Sequence, residues 1–235
     1  MLYKIKLMYT INQRFEFLDN FTQMVIHGFT PSLIVTGEGG LGKSYSIRKS
    51  INNSYLSEDD YLFVKGYSTP RGLYNTLYDN NGKLIIFDDC DSILEDRNAL
   101  NILKSSLDSY ETRTISWLSR TNKGDTYPTQ FDFTGRIIFI SNKSKKSIDE
   151  ALLTRSLVVD LEMSPDDKID RMTHIIKDIL PEYELEHKQD VLDFLKSVKG
   201  DVNLNIRMLI MITKMRVSFG NKWKDMAKYM ILNDE

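Results

Sequence analysis

The stretch GEGGLGKS, Gly37 to Ser44, constrains this chain more than any other part of it. It has the form G-x-x-x-x-G-K-S. A loop that wraps a phosphate must turn several backbone N–H groups inward, which requires backbone angles open mainly to glycine and no side chains in the way. In that reading Gly37, Glu38, Gly39, Gly40, Leu41, Gly42, Lys43, Ser44 and Tyr45 surround the phosphates. Lys43 reaches the β- and γ-phosphates, and the Ser44 hydroxyl ligates Mg²⁺. The competing reading is a Gly-rich turn that matches by accident. The flanks speak against it: Ser32–Thr36 reads as a short buried strand, and Tyr45–Ile51 continues as a helix whose positive dipole end attracts anions.

The rest of the chain alternates in the same way. Apolar runs predict strands at 61–64, 84–87, 136–140 and 156–160, and helical spacing appears at about 12–27, 73–78 and 99–107. Such alternation predicts a parallel sheet covered by helices on both faces. Residues 113–134 read as a β-hairpin with a polar tip at Asn122–Asp125. After Leu161 the pattern turns helical. Ser164 and Asp167 form a capping pair ahead of Ile169, Met172, Ile176 and Ile179, and Pro181 closes that helix. Segments 188–198, 203–218 and 222–231 carry helical spacing as well. The expected division is an α/β domain over 1–163, with the hairpin inserted at about 113–134, and a helical domain over 164–235.

Composition narrows the function classes. The net charge of −2 supplies no global basic field, so any nucleic-acid contact must use a local patch. Cys90 is the only cysteine, which rules out an intramolecular disulfide and suits a cytoplasmic location, the host cytoplasm if the source is viral. His27, His174 and His187 are scattered without metal-ligand spacing. No apolar run approaches the roughly 20 residues of a membrane span, so no membrane partner is expected.

A phosphate loop needs a partner that holds its metal. In Lys83–Asp89 four apolar residues bury a strand, and Asp88 emerges at its carboxyl end, where it can join the Mg²⁺ shell. Asp89 follows and can polarise an attacking water. A buried strand ending in an acidic turn is the plainer alternative. Asn142, at the tip of the 136–140 strand, can bond the γ-phosphate or that water, or can simply end the strand as a turn-favouring residue.

The ordered set GEGGLGKS, IIFDD, IIFISN, Ile148–Ser156 and Asn205-Ile206-Arg207 resembles the AAA+ ATPases over about residues 12 to 230. Within that family it looks most like clamp-loader and helicase-loader modules and small stand-alone phage proteins. The resemblance implies a P-loop NTPase (AAA+) fold: a five-stranded parallel sheet with helices on both faces, then a small C-terminal helical lid. It implies ATP and Mg²⁺ as cofactors and ATP hydrolysis as the activity. It assigns Asn142 to sensor 1 and Arg207 to sensor 2. Arg155 takes the place of the arginine that reaches a neighbouring subunit's γ-phosphate, so the resemblance implies a ring or spiral homo-oligomer, a hexamer by family habit. The residues alone also allow a surface salt bridge for Arg155 and a snorkelling side chain for Arg207. One departure is Asp89 where the family usually carries glutamate, a base one methylene shorter, which leaves slow or partner-dependent hydrolysis open.

Two segments are candidates for substrate contact. Tyr67, after Gly66, offers a flat face to a base or a peptide. The hairpin interleaves Arg113, Arg120 and Lys123 with Trp117, which suits single-stranded nucleic acid unless Trp117 packs into the core. The leading expectation is an oligomeric ATPase that loads onto or moves nucleic acid in phage replication, with replication or packaging proteins as partners. A protein remodeller gripping polypeptide through Tyr67 and an ATP-dependent assembly scaffold are the alternatives.

Overall fold

A computed structural model describes residues 8–108, 112–118 and 127–232. The chain divides into two compact units. One comprises Phe15–Gly37 and Lys43–Leu161; the other comprises the described residues of Met1–Arg14, Glu38–Gly42 and Glu162–Glu235.

The first unit is built on strands β1 (Ser32–Thr36), β2 (Tyr61–Lys65), β3 (Leu84–Asp88), β6 (Arg136–Ile140) and β7 (Leu157–Asp160). They form one parallel sheet in the order β2-β3-β6-β1-β7. Burial follows the sequences. SLIVT and LIIFD are buried throughout and hold inner positions with RIIFI, whereas YLFVK and LVVD, at the two edges, are only partly covered. A strand apolar on both faces can be satisfied only where both faces are covered. Phe87 and Phe139, paired across β3 and β6, stack with centroids 5.3 Å apart.

The helices of this unit are α1 (Ile11–Ile26, whose first residues belong to the other unit), α2 (Lys43–Asn52), α3 (Pro70–Asp79), α4 (Ser92–Glu95), α5 (Arg97–Ser106) and α6 (Glu150–Leu153). Helix α3 begins where Thr69 accepts from the Gly72 N–H and Pro70 occupies the first turn, two start signals that coincide. Its buried Leu73, Tyr74 and Leu77 join Ala99, Ile102 and Leu103 of α5 in the core on one side of the sheet. Cys90 is buried there, and desolvation pushes its thiol up to about 11, so it remains a protonated, unreactive group.

The hairpin is present as β4 (Thr114–Ser116) and β5 (Gln130–Asp132), antiparallel with Ile115 opposite Phe131. Its polar tip, with Arg120 and Lys123, lies outside the described residues. Gly135, just after β5, has no room for a side chain: a Cβ would stand 2.6 Å from Phe133 Cζ and 2.9 Å from the Lys83 carbonyl oxygen. That carbonyl already accepts from the Arg136 N–H in register with the sheet, so it cannot retreat. Gly135→Ala is expected to cost about 2 kcal/mol of stability, read as a lower denaturant midpoint with an unchanged slope.

The C-terminal helices of the second unit are α7 (Pro165–Ile175), α8 (Leu185–Ser197), α9 (Ile206–Phe219) and α10 (Trp223–Leu232). They pack around Met172, Leu192, Leu195, Leu209, Ile212 and Trp223. The capping box expected at Ser164 and Asp167 forms, with both reciprocal bonds present. Helix α7 stops at Ile175, earlier than Pro181 would require. The next turns end on Leu180, which has a left-handed φ of 49° just ahead of Pro181. The buried Lys188 then donates to the Ile179 and Leu180 carbonyls at 3.0 and 3.3 Å, taking the place of the missing helical donors. Among the described residues no helix is long and apolar enough to cross a membrane.

Candidate functional site: a phosphate loop at the carboxyl ends of the strands

In a parallel sheet all strand ends of one kind lie on one edge. Strand β6 sits between β1 and β3, and Ile140 pairs with both Val35 and Asp88. The residues just beyond β1, β3 and β6 therefore meet. They are Gly37 with the phosphate loop, Asp88-Asp89, and Asn142. Sequence separations of 44 to 99 residues collapse into direct contacts.

The contacts form two branches. In the first, the Ser44 hydroxyl donates to Asp88 Oδ1 at 2.7 Å. Asp88 is fully buried, and Lys65 Nζ, from the adjacent end of β2, lies 2.8 Å from Oδ2 as an ion pair without a hydrogen bond to that oxygen. A hydroxyl and a carboxylate set side by side, with one carboxylate oxygen lacking a hydrogen bond, match the oxygen ligands that Mg²⁺ takes beside its waters and phosphates. The residues present therefore fit the metal. In the second branch, the buried Lys43 Nζ donates to the Gly37 carbonyl at 2.5 Å and to Asn142 Oδ1 at 3.0 Å. Asn142 Nδ2 in turn donates to Asp89 Oδ1 at 2.6 Å. Asp89 has a φ of 59°, unusual for a residue with a side chain, and its N–H donates to the Ile140 carbonyl at 3.2 Å. That conformation turns the exposed Asp89 carboxylate toward Asn142, while Asp88, one residue earlier, points inward.

The loop residues Gly40 and Gly42 have φ values of 75° and 88°, and Gly37 reaches 134°; all three need glycine. Glu38 and Gly39 are exposed and Leu41 is buried. Tyr45, in the first turn of α2, is exposed.

The two arginines take no part in these branches. Arg155 precedes β7, whose first residue pairs with Leu33 near the start of β1, and the Arg155 carbonyl accepts from Ser32 Oγ at 3.3 Å. It is therefore at the edge of the sheet opposite to Gly37 and Lys43. Its guanidinium donates to the carbonyl of Ala151, the second residue of α6. Arg207 is exposed in the first turn of α9, in the other compact unit.

The candidate substrate residues also separate. Tyr67 is 82% exposed on a loop that Gly66 starts with a φ of 90°. Trp117 is half-buried, 6.2 Å from the Tyr74 ring, so it is largely packing, as the core alternative supposes. The sequence places Arg113 on a nucleic-acid surface, but its guanidinium donates to the Ser106 and Gly135 carbonyls, each at 2.9 Å, and lies over Phe133. Burial lowers its pKa, and its bonds make it a brace for the base of the hairpin. Two further residues carry no signal in the sequence. Lys65 meets Asp88 only because β2 pairs with β3. Arg71 lies 5.8 Å from the Trp117 ring and 5.5 Å from the Tyr127 ring, joining the start of α3 to the hairpin.

Against known proteins, no family model matches the sequence. An uncharacterized 36.7 kDa protein of the nrdC-mobD intergenic region of Enterobacteria phage T4 is 28% identical over 243 residues, covering 92% of this chain and 73% of that protein. A proline-to-glycine mutant of Thermotoga maritima RuvB superposes with a TM-score of 0.59 at 12% identity, covering 94% of this chain and 69% of RuvB. The T. maritima RuvB Holliday junction branch migration motor gives a TM-score of 0.55 at 11% identity, over 94% of this chain and 68% of RuvB. The fold matches that of these RuvB structures. At such identity the likeness is one of architecture: the five-stranded parallel sheet with flanking helices and the C-terminal helical region.

Proposed function

We propose that this chain is an Mg-ATP-hydrolysing AAA+ motor or loader that works as a ring or spiral of copies on single- or double-stranded nucleic acid, in phage replication or packaging. The observation that carries the enzymatic part is the meeting of Lys43, Ser44, Asp88, Asp89 and Asn142 at one edge of the sheet. On this reading the loop N–H groups and Lys43 bind the β- and γ-phosphates. Ser44 and Asp88 hold Mg²⁺, which supplies neutralisation of phosphate charge. Asp89 accepts the proton of the attacking water, and Asn142 orients that water. Lys65, 2.8 Å from Asp88 Oδ2, balances the charge of that buried carboxylate.

Arg155 supports the oligomeric part. It stands at the sheet edge away from Lys43, so a γ-phosphate role for it requires a second copy. The relative in phage T4 supports the phage setting, and the architecture shared with a branch migration motor supports the nucleic-acid part. The highly exposed Tyr67, set against the braced Arg113, favours a second reading, a remodeller that grips polypeptide.

The test is the steady-state ATPase rate against protein concentration, with and without single-stranded DNA, beside Lys43→Ala as the blank. A rate that rises cooperatively and is stimulated by DNA is expected. A rate at the blank level at every concentration would sink the enzymatic reading. The variant Arg120→Ala with Lys123→Ala separates the substrates: DNA binding falls if the hairpin tip contacts nucleic acid and is unchanged for a polypeptide remodeller.

A further inference from the structure

Lys168, in the first turns of α7, is 5% exposed and yet charged. A buried ammonium persists only where acceptors surround it. Its acceptors are Glu38 Oε2 at 2.6 Å and Asn203 Oδ1 at 2.5 Å. Glu38 is the second residue of the phosphate loop. Close by, the Ile206 N–H donates to the Gly40 carbonyl at 3.0 Å. A Cβ at Gly40 would lie 3.3 Å from Asn205 Cβ, and one at Gly42 would lie 3.4 Å from Ile206 Cδ1. All of these residues belong to the same compact unit, in which Glu38–Gly42 cluster with the C-terminal helices.

We infer that Lys168, backed by Asn203, is a positioning residue that latches Glu38 and holds the tip of the phosphate loop in its anion-binding shape. This rests on the reading of the loop as an ATP site. The physical need is twofold. A loop with positive φ at Gly40 and Gly42 has much conformational freedom to lose when it orders on a phosphate, and anchoring it beforehand lowers that cost. A carboxylate inside a polyphosphate loop also repels its ligand unless a cation neutralises it. Lys168 answers both needs, and the Ile206–Gly40 bond fixes the other side of the tip. The C-terminal helices are then part of the mould of the loop.

The experiment measures the Kd of a fluorescent ATP analogue with Mg²⁺, together with the unfolding midpoint, for the full chain and four variants. Lys168→Met, which frees the loop tip and leaves the Glu38 carboxylate uncompensated, is expected to raise the Kd about tenfold, and Glu38→Ala, which frees the tip but also removes that charge, about threefold. The double variant is expected to bind no more weakly than Lys168→Met, since both changes break one pair. Lys168→Arg is expected to recover most of the affinity, which simple loss of packing would not predict. The Glu38 side chain is 47% exposed, so Glu38→Ala remains decisive even if Lys168→Met fails to fold. Unchanged or tighter binding by Glu38→Ala, with normal binding by the unmodified chain, overturns the latch alone. No binding by the unmodified chain overturns the ATP-site reading and the latch with it.

Discussion

Arg155→Ala is expected to bind Mg-ATP as the unmodified chain does and to lose about a thousandfold in kcat. A fixed guanidinium spreads positive charge over the phosphoryl oxygens only where charge builds up in the transition state, so its loss falls on turnover and not on binding. The position of Arg155 makes the prediction sharper. It lies at the edge of the sheet opposite to its own Lys43, and its guanidinium bond to the Ala151 carbonyl is one that water can replace. Mixing Arg155→Ala with Lys43→Ala should therefore restore part of the activity that neither has alone. In mixed oligomers, an intact phosphate loop on one copy meets an intact Arg155 on another. The checks are the ATPase rate of each variant, of the mixture, and nucleotide affinity by calorimetry. Full activity in Arg155→Ala, or no recovery on mixing while mixed oligomers form, would remove Arg155 from the site.

Lys43→Ala is expected to lower turnover by about a hundredfold or more and to weaken nucleotide binding with it. Its ammonium is buried and already aimed by the Gly37 carbonyl and Asn142 Oδ1, so it meets the phosphates with little reorganisation. Alanine removes that donor and also cuts Asn142 from the loop, leaving the Asn142–Asp89 bond as the remaining part of the branch. The fold should survive, since α2 keeps Ile47 and Ile51 buried beneath it. A circular dichroism spectrum like that of the unmodified chain, with the rate at background, is the expected pair of results. An unchanged rate would show that the activity belongs to a contaminant or to another site.

Much of this architecture is legible in the chain. SLIVT, LIIFD and RIIFI are apolar on both faces, which forces them to inner positions of a covered sheet, and the capping box at Ser164 marks the start of the helical region. Asp88 belongs at a strand tip because four apolar residues precede it. Arg113 is the instructive case. Basic residues beside an aromatic suit nucleic acid, but the signal is the same for an arginine that bonds backbone carbonyls at the base of a hairpin. Composition cannot tell these apart, because the acceptors are main-chain atoms that every sequence possesses.

Local chemistry dictates the parts: a glycine-rich loop able to turn N–H groups inward, a lysine and a hydroxyl at its end, strands too apolar for solvent, and caps where helices begin. These can be read along the chain because each depends on residues within a few positions of one another. Which distant residues share an edge is settled by packing alone. The order β2-β3-β6-β1-β7 brings Asn142 between Lys43 and Asp89, sets Lys65 beside Asp88, and sends Arg155 to the opposite edge. Burial of Lys168 against Glu38 belongs to the same class. Each of these contacts crosses a long stretch of chain, where the residue type sets what a side chain can bond but only the folded arrangement selects its partner.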